Sequence, residues 1–235
     1  NQYVEELTDK ELVEKALNGM LQALDPHSSY MNEEVYKEMQ VDTAGAFGGL
    51  GIEITTDKSF IKIVSPIDDT PAQKAGVQAG DYITHLDGVS VIDMTLKEAI
   101  DIMRGEVGAS ITLTIVRGTE KPFDIEIERD IIKVQSVKHR LIDDIGVLRI
   151  STFNEQTTPG LKKIIEELES SDNPPIGYVL DLRNNPGGLL TESISVSDVF
   201  LEQGEIVSIR GREKKDVKVY SAKKGDLINK KPLIV

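Results

Sequence analysis

Two glycine-rich bends carry the residue types best suited to holding negative charge. The first is Phe47, Gly48, Gly49, Leu50 and Gly51, which runs straight into the alternation Ile52, Ile54. A glycine turn ahead of a strand can leave successive backbone N–H groups unpaired and aimed into one concavity, a nest that binds carboxylates. If that strand lies at a sheet edge, an extended peptide can add to it and lodge its terminal carboxylate in the nest. The stretch TLKEAIDIMR, residues 95–104, offers Ala99, Ile100 and Met103 for the opposite wall. A plain hairpin or bulge is the competing reading of the turn.

The second bend lies in VLDLRNNPGGLL. Gly187 and Gly188 can take positive φ and let another chain approach closely. They stand just ahead of a helical pattern, where N–H groups and the helix dipole favour anions. In acyl transfer such donors form an oxyanion hole, and losing one costs on the order of 100- to 1,000-fold in rate. A routine strand-to-helix connection is the alternative. A nucleophile is harder to find. Ser28 and Ser29 lie in a polar turn beside His27 with no base or oxyanion set around them, His85 falls mid-strand, and His139 sits in a hairpin among basic residues.

Bulk composition narrows the classes. Apolar residues make up 39% and charged residues 29% of 235, ordinary for a soluble globular protein of one large or two smaller domains. A net charge of −13 opposes binding to nucleic acid or to an anionic membrane surface. No apolar run approaches the roughly 18 residues of a membrane span. The absence of cysteine excludes disulfides, thiol catalysis and cysteine–zinc sites. The three histidines lack ligand spacing, so no metal and no other cofactor is expected. A chain that begins at Asn1, with no signal-peptide pattern, reads as a trimmed piece.

The elements that would position the bends fall into three segments, residues 1–44, 45–130 and 131–235. In the first, Thr8 and Glu11 have capping-box spacing. Leu12, Val13, Ala16, Leu17, Met20, Leu21 and Leu24 then form a helical stripe ending before Pro26. Asn32 is placed to cap a second helix through Gln40. The second segment is β-rich: FGGLGIEI, FIKIV, Tyr82 to Leu86, SITLTIVR and FDIEIERD read as strands, with a helical turn in TPAQKAG and a helix capped by Thr95 and Glu98. In the third, VQSVKHRLIDDIGVLRIST reads as a hairpin turning at Asp143-Asp144. TTPGLKKIIEELE reads as a helix capped by Thr158 with Pro159 first. NPPIGYVLDL ends in a strand apolar enough to be central in a covered sheet, and LLTESISVSDVFLEQG is a helix stopping at Gly204. Two strands follow, EIVSIRGR and PLIV, and GREKKDVKVYSAKKGD looks like a solvated hairpin. The class is α+β, with an α/β layer in the third segment.

FGGLGIEI, PAQKAGVQAGDYITHLDG and TLKEAIDIMR, in that order, resemble a PDZ domain of the bacterial protease type. VLDLRNNPGGLL resembles the signature of the carboxyl-terminal processing peptidases, or tail-specific proteases. LDPHSSYM and FNEQTTPGLKKIIEEL match the same family in the family's order, so the resemblance spans nearly the whole chain. It implies a PDZ domain that binds the apolar C-terminal tail of a protein substrate and feeds it to a serine-type active site. There a serine is activated by a lysine whose pKa is lowered by burial. Gly188, and with it Gly187, would be the backbone oxyanion donors.

In the family the nucleophile follows a strand like PLIV and the lysine lies on the next helix. Both are therefore expected after Val235, and the chain alone is expected to bind tails without cutting them. Two other readings stay open: a non-catalytic PDZ-type binder or pseudoprotease, and a structural role in which the N-terminal helices pair with a second copy as a homo-oligomer. Arg129, between the second and third segments, either senses groove occupancy through an ion pair or solvates a strand end. The resemblance also implies an extracytoplasmic location, in the periplasm or cell envelope.

Overall fold

Helix α1 (Asp9–Gln22) starts at its capping box: Glu11 N donates to Thr8 Oγ1 at 3.3 Å, and Thr8 N donates to Glu11 Oε2 at 2.7 Å. Helix α2 (Glu33–Ala44) starts where Val35 N donates to Asn32 Oδ1 at 2.9 Å. It runs past Gln40 because no residue before Gly45, at φ +60°, breaks the pattern. Neither helix buries a residue, and Leu12, Val13 and Met20 of the expected stripe are largely exposed. The computed structural model describes residues 4, 6–213 and 215–235. It divides into two units, Asn1–Thr43 and Ala44–Val235.

The larger unit opens with β1 (Ala46–Gly49), which pairs antiparallel with β8 (Asp130–Lys133), Ala46 opposite Lys133. FGGLGIEI is therefore not one strand. At Gly51, φ +77°, the chain leaves that ribbon and enters β2 (Ile52–Asp57) of a separate sheet. That sheet continues through β3 (Phe60–Pro66), β4 (Tyr82–Leu86), β6 (Ser110–Val116) and β7 (Phe123–Glu128), with β5 (Val89–Ser90) on β4. Its strand order is β2-β3-β4-β6-β7, which leaves β2 at an edge. Short helix α3 (Pro71–Lys74) and helix α4 (Leu96–Met103) complete the segment, and α4 carries the expected Thr95/Glu98 capping box. The core is the period-2 set Ile61, Ile63, Ile83, Ile111, Leu113 and Ile115 with Ala99 of α4. Each such aliphatic side chain contributes about 1.5–3 kcal/mol by leaving water.

A second core lies in a four-stranded sheet of order β14-β11-β10-β9. β9 (Val137–Ile142) and β10 (Ile145–Ile150) form the expected hairpin, with Asp143 at φ +51° in its turn. β11 (Gly177–Asp181) lies parallel to β10 and is buried along most of its length, as its composition requires. β14 (Leu233–Ile234) adds parallel to β11. Helices α5 (Thr157–Glu169) and α6 (Leu190–Val199) supply Leu161, Ile165, Val196 and Val199 to the core. β12 (Glu205–Arg210) and β13 (Val217–Ser221) form a separate antiparallel pair.

Two boundaries in this part differ from expectation. Gln156, not Thr158, is the N-cap of α5, because the turn closed by Thr157 N to Asn154 O at 2.9 Å already starts the helix at Thr157; Thr158 lies inside it, with N and Oγ1 donating to Glu192 on α6 at 3.0 Å and 2.5 Å. Helix α6 stops at Val199 instead of Gly204, since the Val199 carbonyl accepts from Leu227 N at 3.0 Å and the Asp198 carboxylate holds Lys223 N. Among the described residues no helix is long and apolar enough to cross a membrane.

Candidate active-site and tail-binding regions

The first bend opens into a groove of about 430 Å³. Phe47, Gly49, Leu50, Gly51, Ile52 and Ile54 line one side, and Ile100 and Met103 of α4 the other. At the bend the carbonyls turn inward. Leu50 O accepts from Ala72 N at 2.9 Å, and Gly51 O accepts from Ile67 N at 2.8 Å and Thr70 Oγ1 at 3.1 Å. The N–H groups of Leu50 and Gly51 meet no acceptor among the described residues, although both residues are buried. Unpaired amides in a buried bend carry a desolvation cost that an anionic ligand removes. Glycine is required at 51 because a Cβ there would lie 2.3 Å from Thr70 Cβ.

Two residues expected in this groove lie outside it. Ala99 is fully buried on the inner face of α4, where the helix packs on the sheet core. Gly48 instead meets the chain beyond α4: its carbonyl accepts from Gly105 N at 3.2 Å, and a Cβ would sit 2.1 Å from Gly105 O. Val64, Ile67, Ile132 and Arg104 also line the groove and went unforeseen, because three of them come from other strands or loops. Arg104 immediately follows the helix and carried a signal of position.

The second bend is built differently. Gly187 takes φ +111° and Gly188 φ +141°. The chain is stitched sideways to Phe153: Phe153 N donates to Gly187 O at 3.0 Å, and Leu189 N donates to Phe153 O at 2.7 Å. Gly187 N donates to Asn185 Oδ1 at 2.7 Å, while Asn185 Nδ2 donates to Ile150 O at 3.1 Å. The Gly187 amide is thus occupied. Gly188 is exposed, and its amide meets no acceptor among the described residues. A Cβ on Gly188 would lie 2.1 Å from Phe153 O, so only glycine allows this approach. Beneath the bend, the buried Asp181 carboxylate accepts from Arg183 Nη2 at 2.8 Å, Arg183 N at 3.0 Å and Arg149 Nη1 at 3.3 Å. The Arg183 bonds, chiefly, hold its pKa well below the usual carboxylate range.

The remaining candidates are not brought together into a catalytic set. Ser28 Oγ and His27 N both donate to the Asp25 carboxylate, at 2.8 Å and 2.7 Å. The His85 ring lies 3.0 Å from Thr84 Oγ1 on β4, and His139 is exposed on edge strand β9. Among the described residues Arg129 forms no ion pair, and it does not solvate a strand end. It is buried and donates to the carbonyls of Ile102 at 2.9 Å, Met103 at 3.0 Å and Ser110 at 3.1 Å, closing the C-terminus of α4. The Ile102 and Met103 carbonyls end the helix without a partner inside it, which is why a cation suits the position.

With this geometry in hand, comparison with known proteins defines the class. Residues 62–117 match the PDZ domain, residues 144–235 match peptidase family S41, and residues 1–35 match the N-terminal domain of the activating protease CtpB. A PDZ domain followed by an S41 segment is the pattern of a PDZ-bearing peptidase. The chain is 56% identical over 237 residues to the carboxy-terminal-processing protease of Bartonella bacilliformis, an alignment covering 100% of this chain and 55% of that protein. It is 37% identical over 205 residues to the carboxy-terminal processing protease CtpA of Bacillus subtilis, covering 86% of this chain and 44% of that one. The chain belongs to the carboxyl-terminal processing peptidases of family S41. It spans about half the length of the curated relatives it matches.

Proposed function

We propose that this protein is a serine-type endopeptidase that captures the apolar C-terminal tail of a polypeptide in the groove between β2 and α4. The carrying observation is the pair of acceptor-free amides of Leu50 and Gly51, two residues that line that groove. An extended tail adds along the free edge of β2, its last side chain lies against Ile100 and Met103, and its carboxylate accepts from the two amides. In the whole enzyme Gly188 N–H donates to the oxygen that gains charge in the tetrahedral intermediate. Gly187 drops out of that role, because its amide already serves Asn185. No residue of these 235 is proposed as nucleophile or base, and this chain by itself is proposed to bind without hydrolysis.

The test is calorimetric titration with a peptide ending in an apolar residue, as free acid and as C-terminal amide. The free acid binds at least tenfold tighter under this reading, and equal affinities overturn it. A purely binding, non-catalytic role predicts the same titration, and cleavage of the same peptide by the whole protein separates the two. The exposed stripe Leu12, Val13 and Met20 favours pairing of the N-terminal helices with a second copy. Sedimentation of the Leu12→Lys, Met20→Lys chain against the unaltered one tests that pairing. Action outside the inner membrane is proposed on the habit of the family, with cell fractionation as its test.

A further inference from the structure

The Gly188 N–H can serve a reacting oxygen only while it points out of the bend, and two glycines in succession do not secure that direction. Each accepts φ of either sign, so the peptide plane between them can turn over with little movement of its neighbours. Turned over, it would present the Gly187 carbonyl oxygen where the N–H now stands and repel a developing anion. The plane has to be held.

It is held from its other end. A trans peptide is planar, so the Gly187 C=O and the Gly188 N–H point in opposite directions and move together. Gly187 O accepts twice, from Phe153 N at 3.0 Å and from Thr152 Oγ1 at 3.1 Å. Phe153 and Gly188 form a parallel bridge, and both donors stand on its Phe153 side. The Gly188 N–H therefore faces the opposite, exposed side, where it meets no acceptor among the described residues. The adjoining planes are pinned separately, by Gly187 N on Asn185 Oδ1 at 2.7 Å and by Leu189 N on Phe153 O at 2.7 Å. Thr152 is itself well seated. It is half-buried just after β10, and its carbonyl accepts from the fully buried Thr157 hydroxyl at 3.1 Å. Phe153 contributes only backbone to the Gly187 carbonyl, so among the described residues Thr152 is the one side chain that fixes this plane.

We propose that Thr152 is a positioning residue for the oxyanion donor: its hydroxyl, bonded to the Gly187 carbonyl, keeps the Gly188 N–H aimed at the oxygen that gains charge. This rests on the reading of Gly188 given above. A donor stabilises a developing charge best when it needs no reorientation at the moment of reaction. Losing one of the two bonds to the carbonyl is expected to lower kcat about tenfold, less than the 100- to 1,000-fold that follows loss of a donor itself.

Orientation is read on the 235-residue chain and chemistry on the whole protein. In the chain, Thr152→Val keeps the branched shape and loses the hydroxyl. It should move the Gly187 carbonyl carbon resonance upfield and change the residual dipolar coupling of the Gly188 N–H, whereas Thr152→Ser should leave both in place. In the whole protein, acting on an apolar-ended peptide, Thr152→Val should show the loss in kcat with KM within twofold, and Thr152→Ser should recover kcat to within twofold. An unchanged dipolar coupling in Thr152→Val overturns the positioning role whatever the kinetics, and leaves the reading of Gly188 standing. A changed coupling with unchanged kcat overturns the reading of Gly188, and the role of Thr152 with it. A rise in KM alone, or Thr152→Ser as slow as Thr152→Val, overturns the proposal in favour of packing. Should Thr152→Val lose its cooperative melt, the Thr152 hydroxyl proton of the unaltered chain serves instead. It must exchange slowly with water, and exchange as fast as that of a free threonine overturns the proposal.

Discussion

The bends at Leu50–Gly51 and Gly187–Gly188 begin from the same ingredients, glycines at positive φ leading into a regular element, and end differently. At the first, the carbonyls bond into α3 and its approach, both amides stay free, and apolar walls surround them. At the second, a neighbouring asparagine claims one amide, and the other faces an exposed surface. Glycine spacing tells where a chain can turn closely. Which N–H groups remain for a ligand is decided by the acceptors that surround the turn. The first bend holds two acceptor-free amides between apolar walls, and the second holds one on an exposed surface.

The largest effects that test this contrast come from adding a methyl group. Gly51→Ala and Gly188→Ala each combine a strained φ with a backbone or side-chain overlap, at 2.3 Å from Thr70 Cβ and 2.1 Å from Phe153 O. Each should lose about 2–5 kcal/mol in urea unfolding. Gly187→Ala has a similar φ but open space, so only strain remains, about 1–2 kcal/mol. Equal losses at 187 and 188 would contradict the packing against Phe153.

A smaller effect separates the two amides of the second bend. Asn185→Ala removes the acceptor of Gly187 N–H and the donor to Ile150 O, at about 1–3 kcal/mol. Hydrogen exchange at Gly187 should quicken in that variant, while the already free Gly188 amide should change little.

The smallest effect compares the regions by acid. Asp181 has its pKa lowered chiefly by the Arg183 bonds. Burial alone would raise Asp81 in the β-rich segment, but the Arg117 and Gln78 bonds outweigh it and lower it too. A depressed carboxylate pKa means the unfolded chain takes up the proton first as pH falls. The stability from each pair is therefore complete above about pH 4 and lost progressively below it. Asp181→Asn should flatten that acid-side slope in the α/β segment, and Asp81→Asn should do so in the β-rich one, both read by urea midpoints between pH 5 and pH 3.

Much of this was legible where the signal is local. The Thr8/Glu11 and Thr95/Glu98 boxes, the Asp143 turn and the buried β11 depend on neighbours within a few residues, and each appears as read. That a groove lies between this bend and α4 was legible in outline for the same reason, since a glycine bend, a strand and an amphipathic helix each announce themselves. What escaped was set by distant partners. β1 leaves its own sheet for β8, Glu192 on α6 takes both Thr158 donors, and Leu227 takes the last carbonyl of α6. Ala99 shares the apolar periodicity of Ile100, and only the crossing of α4 over the sheet decides that one faces the core and the other the groove. Arg104 and Arg129 look alike in sequence, yet one fills its donors with helix carbonyls and the other keeps an empty edge.

The amide resonances of Leu50, Gly51, Gly187 and Gly188 test the central claim together, followed by two-dimensional NMR during titration with an apolar-ended peptide as free acid and as amide. The free acid should move Leu50 and Gly51 strongly downfield and leave the second bend unmoved, while the amide should do neither. Shifts at Leu50 and Gly51 that are the same for both peptides, or absent for the acid, would contradict the claim that these two amides hold a tail's carboxylate.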